Sequence, residues 1–553
     1  MVAVGLAEML SLGLLIPFLT ALSEPQKIAG NLIVIKAKLY LEKLFHLNIN
    51  LENETFLTIS FTLAFLICAI LSGIIRIISL KKNAIIANKA GTEISSKIYE
   101  NLLNQNLKFH ISQNSSEIIS NLIAKTSLAI VSISAGCTII SSFILSVFIT
   151  LALFIISPGP TFIIFSIVSA VYIIIHKINK KRFLKNSVVI SKSYNQMTRS
   201  LQEGLKSIRD IILYNIQDIY TQSFKELDEK LRTSNAKVSI ISQSPRFYIE
   251  VVGLCLFAII SYYFAQNRDG FIAAIPTLAA LALGIQKILP ALHQVYFSWA
   301  IILAHNDSTN DLLKMVNLRK AKKLVGSGKP FVFNKKIVFT NISFKYKSNS
   351  KWIFQNCSLT IKKGDKVALI GSTGSGKSTI MDLLMGLLFV EKGAIRIDNV
   401  ALTHKNIVSW QNLISHVPQS VFITDKTVVE NIALGIPIDS IDFQRVEEVS
   451  KVAQLDTFIN SLPEKFNTVL GENGSFISGG QKQRIGIARA LYKKCEVLIL
   501  DEATSALDSE TENKVINALV SFNKNLTIIF STHRKAPLRV CSKIINIEKL
   551  RKT

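Results

Sequence analysis

Apolar side chains form long runs up to about residue 310, whereas the rest of the chain alternates short apolar stretches with polar turns. Six of these runs approach or exceed about 20 residues, the length a helix needs to cross roughly 30 Å of hydrocarbon. The runs cover residues 1–22, 55–80, 128–156, 160–177, 247–266 and 271–303. This pattern predicts six membrane-spanning helices.

The connections between the runs predict how the chain is oriented in the membrane. Residues 157–160 join the third run to the fourth, and residues 267–270 join the fifth to the sixth. Links this short permit only a reversal of the chain. The segments 81–127 and 178–246 are long, helical in periodicity and rich in Lys and Arg, which favours the cytosolic side. We therefore expect short outer loops, long cytosolic arms and both chain ends in the cytoplasm.

One longer outer segment, residues 23–54, has its own periodicity. Ile28, Leu32, Ile35 and Leu39 recur at helical spacing among charged residues. An amphipathic helix on the outer membrane surface and a helix that caps the bundle both fit this pattern.

Three basic residues, Arg76, Arg246 and Lys287, fall inside or at the edge of the apolar runs. Each would cost about 2.5 to 3.5 kcal/mol at the centre of a bilayer. They either extend to the inner headgroups or line an internal cavity that receives an anionic group. Glu8 and Glu250 are placed to neutralise part of such a cluster.

Composition divides the chain of 553 residues into a membrane domain (1–310), a linker (311–337) and a second domain (338–553). The net charge of +25 would suggest nucleic-acid binding in a soluble protein, but much of the excess adjoins the apolar runs. No basic motif with interleaved aromatic residues is present, so we predict no nucleic-acid partner. The six cysteines are widely spaced and predict neither a disulfide framework nor a metal site.

A glycine-rich segment in the second domain predicts a phosphate-binding loop. Residues 366–379, KVALIGSTGSGKST, are a short apolar run followed by the phosphate-loop pattern. The glycines let backbone amides surround phosphates, the lysine supplies charge, and the serine hydroxyl after it can bind Mg²⁺. The predicted nucleotide-binding residues are Gly371, Ser372, Thr373, Gly374, Ser375, Gly376, Lys377, Ser378 and Thr379.

Polar residues at strand ends predict the rest of the hydrolytic chemistry. In VLILDE, Asp501 is expected to bind Mg²⁺ and Glu502 to polarise the attacking water. His533 ends the strand TIIFST and is placed to contact a γ-phosphate. Gln419 in HVPQ is a candidate for contact with Mg²⁺ or water, and Tyr346 is a candidate for stacking on adenine.

The segment FISGGQKQR, residues 476–484, combines a helix start with unusual glycines. Ser478 and Gln481 have the spacing of a capping box. Gly479 and Gly480 are poor helix formers, and bare backbone at a helix start admits a large anion. The segment has no phosphate-loop lysine of its own, so it is expected to contact a phosphate held elsewhere.

The motifs GSTGSGKST, VPQ, ISGGQKQR, LILDEATSALD and STH follow one another within about 165 residues. This set resembles the nucleotide-binding domain of the ABC transporter superfamily. With six spans ahead of it, the chain is similar to half-transporters of the exporter type. The resemblance implies a six-helix all-α transmembrane domain followed by an α/β P-loop NTPase domain.

The same resemblance implies a mechanism with ATP and Mg²⁺ as cofactors. Two ATP-binding domains meet head to tail, and the signature residues of one contact the γ-phosphate bound by the other. On this basis we expect a homodimer, or a heterodimer with a relative, that works by alternating access. Short cytosolic helices near 108–116 and 211–220 would carry the motion into the spans. The residues implied at the shared interface are Ser478, Gly479, Gly480, Gln481, Ser505 and Asp508.

Within the exporters, the chain resembles bacterial flippases of lipid-linked oligosaccharides. The segments that carry this resemblance are AEMLSLGLLIPFLTALSE, GIIRIIS, SPRFYIEVVG and IQKILPAL. It implies outward movement of an anionic lipid-linked saccharide or related lipid across the cell (inner) membrane, with the ATP-binding domain in the cytoplasm. A peptide or multidrug exporter is the alternative within the class, and an ATP-gated channel or sensor is the alternative outside it. Intact Glu502 and His533 favour turnover over gating.

Overall fold

The computed structural model of the protein describes residues 1–23, 54–266, 271–318, 331–346 and 351–551. The chain divides into two compact units. The first contains residues 1–103 and 113–318, and the second contains residues 104–112 and 319–553. The predicted amphipathic segment with Ile28, Leu32, Ile35 and Leu39 lies outside the described residues.

Six helices in the described part of the first unit are long and apolar enough to cross a membrane, as the hydrophobic pattern predicts. Three of them have 49 or 50 residues, because span and cytosolic arm form one continuous helix. The six are α1 Val2–Ser23, α2 Glu54–Leu103, α5 Thr126–Ile156, α6 Pro158–Lys206, α8 Gln217–Ala265 and α9 Phe271–Ala304.

Shorter elements interrupt the long helices at the ends of the arms. Asn215 has a left-handed φ of 53° and separates the short helix Ile208–Tyr214 from α8. The short helix predicted near 211–220 begins earlier than expected, at Ile208, and the turn at Asn215 ends it at Tyr214. These elements are α3 Leu107–Ser112, α4 Ser115–Ser120, a π-helical turn Asn121–Lys125, α7 Ile208–Tyr214 and α10 Asn306–Val316.

The core of the first unit lies among α1, α5, α6, α8 and α9, where Leu145, Ile149 and Leu281 are buried. Many apolar side chains on α2, among them Ile67 and Ile77, are instead exposed. A surface of this kind suits contact with lipid.

The described residues of the second unit form two sheets. In the antiparallel sheet the strand order is β2-β1-β4-β5, and in the parallel sheet it is β6-β7-β8-β3-β9. The strands are β1 Lys336–Phe344, β2 Phe354–Lys362, β3 Lys366–Ile370, β4 Lys392–Ile397, β5 Val400–Ala401, β6 Ile414–Val417, β7 Val497–Asp501, β8 Thr527–Ser531 and β9 Lys543–Asn546.

Helices surround the parallel sheet and bury it, so its central strands are almost entirely apolar. The helices are α11 Lys377–Leu384, α12 Ile407–Asn412, α13 Val428–Ile432, α14 Phe443–Val452, α15 Asp456–Ser461, α16 Gly479–Tyr492, α17 Ser509–Phe522, α18 Lys535–Val540 and α19 Ile547–Arg551. Because β3, β7 and β8 are parallel neighbours, the residues after their carboxyl ends meet at one edge.

Candidate active site

The phosphate loop follows β3 and opens α11, as its sequence predicts. Gly374 has a φ of +80°, and no heavy atom of the described residues lies within 4 Å of where its Cβ would stand. Gly376 has a φ of +104°, and a Cβ there would come within 2.6 Å of Phe354 Cζ. The positive φ favours glycine at both Gly374 and Gly376, and the close contact with Phe354 is a second reason for glycine at Gly376. The result is an open concave loop at a helix start, suited to an anion.

Two residues of this loop contact residues from the ends of neighbouring strands. Lys377 Nζ donates hydrogen bonds to the carbonyls of Gly371 and Ser372 and lies 3.1 Å from His533 Nε2. The Ser378 hydroxyl donates to Asp501 Oδ2 at 3.1 Å. Hydroxyl and carboxylate oxygens are the donors that Mg²⁺ prefers, so this pair fits the predicted metal.

Glu502 adopts a backbone conformation that is unusual for its residue type. Its φ is +49°, and its N–H donates to the Ser531 carbonyl at 3.0 Å. Left-handed backbone at a residue with a side chain costs about 1–3 kcal/mol and is concentrated at functional sites. Gln419 Nε2 donates to Glu502 Oε2 at 2.9 Å, which joins two residues predicted from separate motifs.

Tyr346 lies beside the phosphate loop. Its hydroxyl and that of Thr379 are 3.1 Å apart, and its ring packs edge-on against Phe344. The contact with Thr379 is not foreseeable from the sequence. Stacking of Tyr346 on adenine stays a prediction.

The signature segment forms the capping box that its spacing predicts. The Ser478 hydroxyl accepts from the Gln481 backbone N–H at 3.2 Å, and the Gln481 side-chain oxygen Oε1 accepts from the Ser478 backbone N–H at 2.7 Å. A Cβ at Gly480 would come within 3.0 Å of the Ala506 carbonyl. At Gly479 the nearest atom is the Ala506 Cβ at 3.5 Å, an ordinary contact. Packing within the chain thus explains the second glycine but not the first.

Sequence reasoning missed two residues that hold the segment 504–508. Gln483 donates to the Ser505 hydroxyl at 3.0 Å and accepts from the Ala506 N–H at 2.9 Å. Arg534 donates to the carbonyls of residues 504, 505 and 507 at 2.6–3.1 Å. Gln483 and Arg534 both lie next to predicted motif residues in the sequence, and this proximity could have identified them.

The same segment ends in a helix cap. Asp508 Oδ2 accepts from the Thr511 N–H at 2.9 Å and begins α17. Hydrogen bonds from Thr511 hold the pKa of Asp508 below its ordinary value. The predicted interface residues Ser505 and Asp508 therefore both lie on a loop with fixed geometry.

A further acid that the sequence did not single out is Asp382, on α11. Burial, and then the neighbouring Asp501 carboxylate, raise the pKa of Asp382 to about 6. Asp382 thus lies close enough to Asp501 for the two carboxyl groups to interact.

Comparison with known proteins agrees with this geometry. The family model described as ABC transporter matches residues 354–505, and the one described as ABC transporter transmembrane region matches residues 3–314. The chain belongs to the ABC transporter family. It is an ATP-hydrolysing, multi-pass membrane transporter of the exporter type, as the motifs predicted.

Two relatives match most of this transporter. It is 29% identical over 472 residues to a multidrug resistance-like ATP-binding protein MdlA from Buchnera aphidicola, covering 83% of this chain and 79% of that protein. It is 27% identical over 467 residues to an ATP-dependent lipid A-core flippase from Pseudoalteromonas translucida, covering 82% and 78%.

The fold of the transporter is similar to that of a bacterial Atm1-family ABC exporter solved with ATP bound. The TM-score is 0.75 at 19% identity, and the match covers 97% of this chain and 92% of that chain. The predicted fold class, a six-helix membrane domain followed by an α/β P-loop NTPase domain, is confirmed.

In the membrane unit of the transporter, two of the three predicted cavity residues share one carboxylate. Glu8, with a side chain only 6% exposed, accepts from Lys287 Nζ at 2.6 Å and lies 3.6 Å from Arg76 Nη1. The Ser72 hydroxyl also donates to it, at 2.9 Å. We call Glu8, Ser72, Arg76 and Lys287 the Glu8 cluster.

The third predicted residue, Arg246, lies elsewhere. It lines a cavity of about 570 Å³ between α8 and α9, together with Glu250, Gln286 and His293. The three basic residues predicted to line one cavity therefore lie in two separate places, Arg76 and Lys287 in the Glu8 cluster and Arg246 in this cavity.

Proposed function

We propose that this exporter moves an anionic amphiphile, a lipid-linked saccharide or related lipid, from the cytosolic to the outer side of the inner membrane. The Glu8 cluster is the main support. It holds two cations and one carboxylate inside the spans, so its formal charge is positive.

Exposure of the two cations agrees with this role. The Arg76 side chain is 60% exposed and that of Lys287 36%, while Glu8 is buried beneath them. A cation within a span is costly unless it is paired or has a function. The cluster leaves one positive charge for a phosphate, and the polar cavity at Arg246 offers a second anion-binding place.

Within the ATP-binding unit we propose the roles implied by the motifs. Ser378 and Asp501 hold Mg²⁺, with Gln419 beside it, and Glu502 polarises the attacking water. Mg²⁺ would neutralise charge on the phosphates when bound. Packing within the chain does not require a glycine at Gly479, which supports a phosphate supplied there by a second chain and hence a homodimer.

A multidrug exporter is the second candidate, and one cavity favours it. About 810 Å³ in volume, this cavity is lined mainly by apolar and aromatic side chains, including Phe143, Tyr172, Tyr296 and Trp299. Such a lining suits hydrophobic compounds. The MdlA-like relative, named for multidrug resistance, agrees with this alternative.

Reconstituted vesicles separate the two candidates. The test variant combines Arg76→Gln, Arg246→Gln and Lys287→Gln with Glu8→Gln, so that no buried carboxylate is left unpaired. Lys82→Gln, at an exposed lysine on the same helix as Arg76, is the control. The probes are a fluorescent polyprenyl-pyrophosphate saccharide and a hydrophobic dye cation.

We expect the test variant to lose at least about tenfold in movement of the saccharide lipid while basal ATP hydrolysis persists. The control should match the wild type. Undiminished movement of the saccharide lipid by the test variant would contradict the proposal. Transport of the dye alone by the wild type would favour the multidrug alternative.

A further inference from the structure

Helix α10 connects the last membrane helix to the segment that leads into the ATP-binding unit, and polar side chains of the membrane unit bind it along its length. We call the side chains of Asn101, Asn121, Lys125, Ser187 and Ser191, together with α10, the connector hub. They come from α2, the π-helical turn and α6. The sequence separations are between 120 and 215 residues, so the hub exists only in the folded unit.

At the centre of the hub is an ion pair between a buried lysine and a partly exposed aspartate. Lys125 has a fully buried side chain, and its Nζ lies 2.7 Å from Asp311 Oδ2. The Ser191 hydroxyl donates to the same oxygen at 3.1 Å. Burial alone would raise the pKa of Asp311, but hydrogen bonds from Lys125 and Lys314 lower it below its ordinary value. The carboxylate is therefore held in its charged form.

Both ends of α10 are held as well. The Ser187 hydroxyl accepts from the Asp307 N–H at 2.9 Å in the first turn. Asn101 Nδ2 donates to the carbonyls of Met315 and Val316 at 3.3 and 2.9 Å in the last turn. Two long helices of the membrane unit, α2 and α6, and the π-helical turn are thus linked to one short helix by directional bonds.

The backbone at Lys125 is unusual. Asn121–Lys125 is the π-helical turn, which lies between two stretches of α-helix. π-helical turns are rare and recur at functional sites. This one places Lys125 at Asp311 and Asn121 at the Met315 sulfur, 3.4 Å away.

The hub is also incompletely bonded. Several buried polar atoms of the hub, or of residues next to it in sequence, make no hydrogen bond within the part of the chain that the structure describes. These atoms are Asn101 Oδ1, Ser120 Oγ, Asn121 Oδ1, His305 Nδ1 and Ser308 Oγ. Bonding capacity that is not used within the hub would allow these groups to take other partners in a second arrangement.

We propose that the connector hub is a two-state latch that transmits ATP-driven motion from α10 to the membrane spans, with Lys125 and Asp311 as its positioning residues. In sequence, residues 319–330 join α10 covalently to the ATP-binding unit, which makes α10 a place where motion of that unit could enter the membrane unit. An ion pair inside a protein has few intermediate geometries, so it favours discrete arrangements. The latch does not depend on which substrate is carried.

The test separates a latch from a merely structural contact. The double variant Lys125→Met/Asp311→Leu removes both charges, a change that often leaves stability intact. Removing only one of the two charges would leave the other unpaired inside the protein and would destabilise it. Lys314→Met is the matched control, because Lys314 contacts the same carboxylate at 3.1 Å from a side chain that is 78% exposed. Asn101→Leu tests the hub without touching the pair.

Hydrogen exchange is measured on the full-length protein in lipid nanodiscs, without nucleotide and with ADP-vanadate. In the wild type and in Lys314→Met we expect vanadate trapping to change exchange in residues 134–156 and 277–304. In the Lys125→Met/Asp311→Leu variant, ATP hydrolysis should stay within about threefold of the wild type while this change in the spans falls at least about fivefold.

Equal responses of the spans in the wild type and the double variant would overturn the latch. Spans that do not respond even in the wild type would overturn it too, since nothing would be transmitted. If the double variant fails to fold, the Asn101→Leu variant is used instead. The latch then requires that Asn101→Leu weakens the change in hydrogen exchange of the spans while the change in residues 371–379 stays intact.

Discussion

Gln419 and Glu502 are 83 residues apart in sequence, yet the Gln419 amide donates to the Glu502 carboxylate at 2.9 Å. They meet because β6 and β7 are parallel neighbours, with Val417 opposite Leu500. A neutral donor fixes the carboxylate without neutralising it, which suits a residue that polarises water. The left-handed φ of Glu502 marks a break in the backbone directly after the strand it follows.

We predict that Glu502→Gln lowers ATP hydrolysis by at least about 100-fold, because an amide cannot accept a proton from water. ATP binding should remain, since the phosphate loop is untouched. Phosphate release and binding of a fluorescent ATP analogue measure the two effects.

Glu496→Gln is the control for this prediction, since Glu496 directly precedes the strand that Glu502 follows and pairs with Lys363 at 2.8 Å. Its hydrolysis should stay within about twofold of the wild type, as expected for a partly exposed pair. Hydrolysis by Glu502→Gln at the wild-type rate would exclude Glu502 as the base.

The two signature glycines should respond differently to alanine. At Gly480 the new Cβ presses on the Ala506 carbonyl, so we expect a lower thermal midpoint and lower hydrolysis. At Gly479 the Cβ has room, and replacing a helical glycine by alanine stabilises by about 0.5–1 kcal/mol.

Hydrolysis by Gly479→Ala should nevertheless fall at least about tenfold, because the bare backbone is proposed to face a phosphate held by a second chain. Scanning calorimetry and phosphate release on the same samples give both numbers. Full hydrolysis by a stable Gly479→Ala protein would remove the main support for a shared site.

Arg534→Lys should slow hydrolysis although the charge is kept. The Arg534 guanidinium donates to three carbonyls of residues 504–507 and lies 3.3 Å from Glu512. The single ammonium group of a lysine cannot form all of these hydrogen bonds at once. We expect a loss of about 3- to 30-fold in rate with little change in ATP affinity. Arg539→Lys, at an exposed position on the next helix, is the matched control.

Much of the fold was predictable from local patterns. The spans follow from runs of apolar residues, and the phosphate loop and capping box follow from spacing over a few residues. The exact end of α7 was not predictable, because it depends on the left-handed turn at Asn215, a conformation that asparagine adopts only in some contexts.

Long-range pairing was the main limit. Glu8 and Lys287 are 279 residues apart, and Lys125 and Asp311 are 186 apart, so no local pattern joins them. From the sequence, Arg76, Arg246 and Lys287 were predicted to form one set, because each carries a positive charge inside or at the edge of an apolar run. Only the packing of the helices decides which of them share a carboxylate.

A last prediction concerns the stability of the antiparallel sheet. Asp398, in the turn between β4 and β5, accepts from the N–H groups of Asn334, Lys335 and Lys336, the last two at 2.8 and 2.7 Å. Partial burial would raise the pKa of Asp398, but the three donors outweigh it and hold the pKa below its ordinary value.

The stabilisation by Asp398 is therefore complete above its pKa in the unfolded chain and disappears as the pH falls through its lower pKa in the folded state. At neutral pH, Asp398→Asn should lower the free energy of unfolding by about 1–2 kcal/mol, since charged acceptors form the stronger hydrogen bonds. Thermal midpoints across an acid titration should show the variant and the wild type converging as the pH falls. Asp425→Asn, at an exposed carboxylate, should track the wild type throughout. A constant gap between Asp398→Asn and the wild type would mean that the carboxylate charge contributes nothing to holding the start of β1.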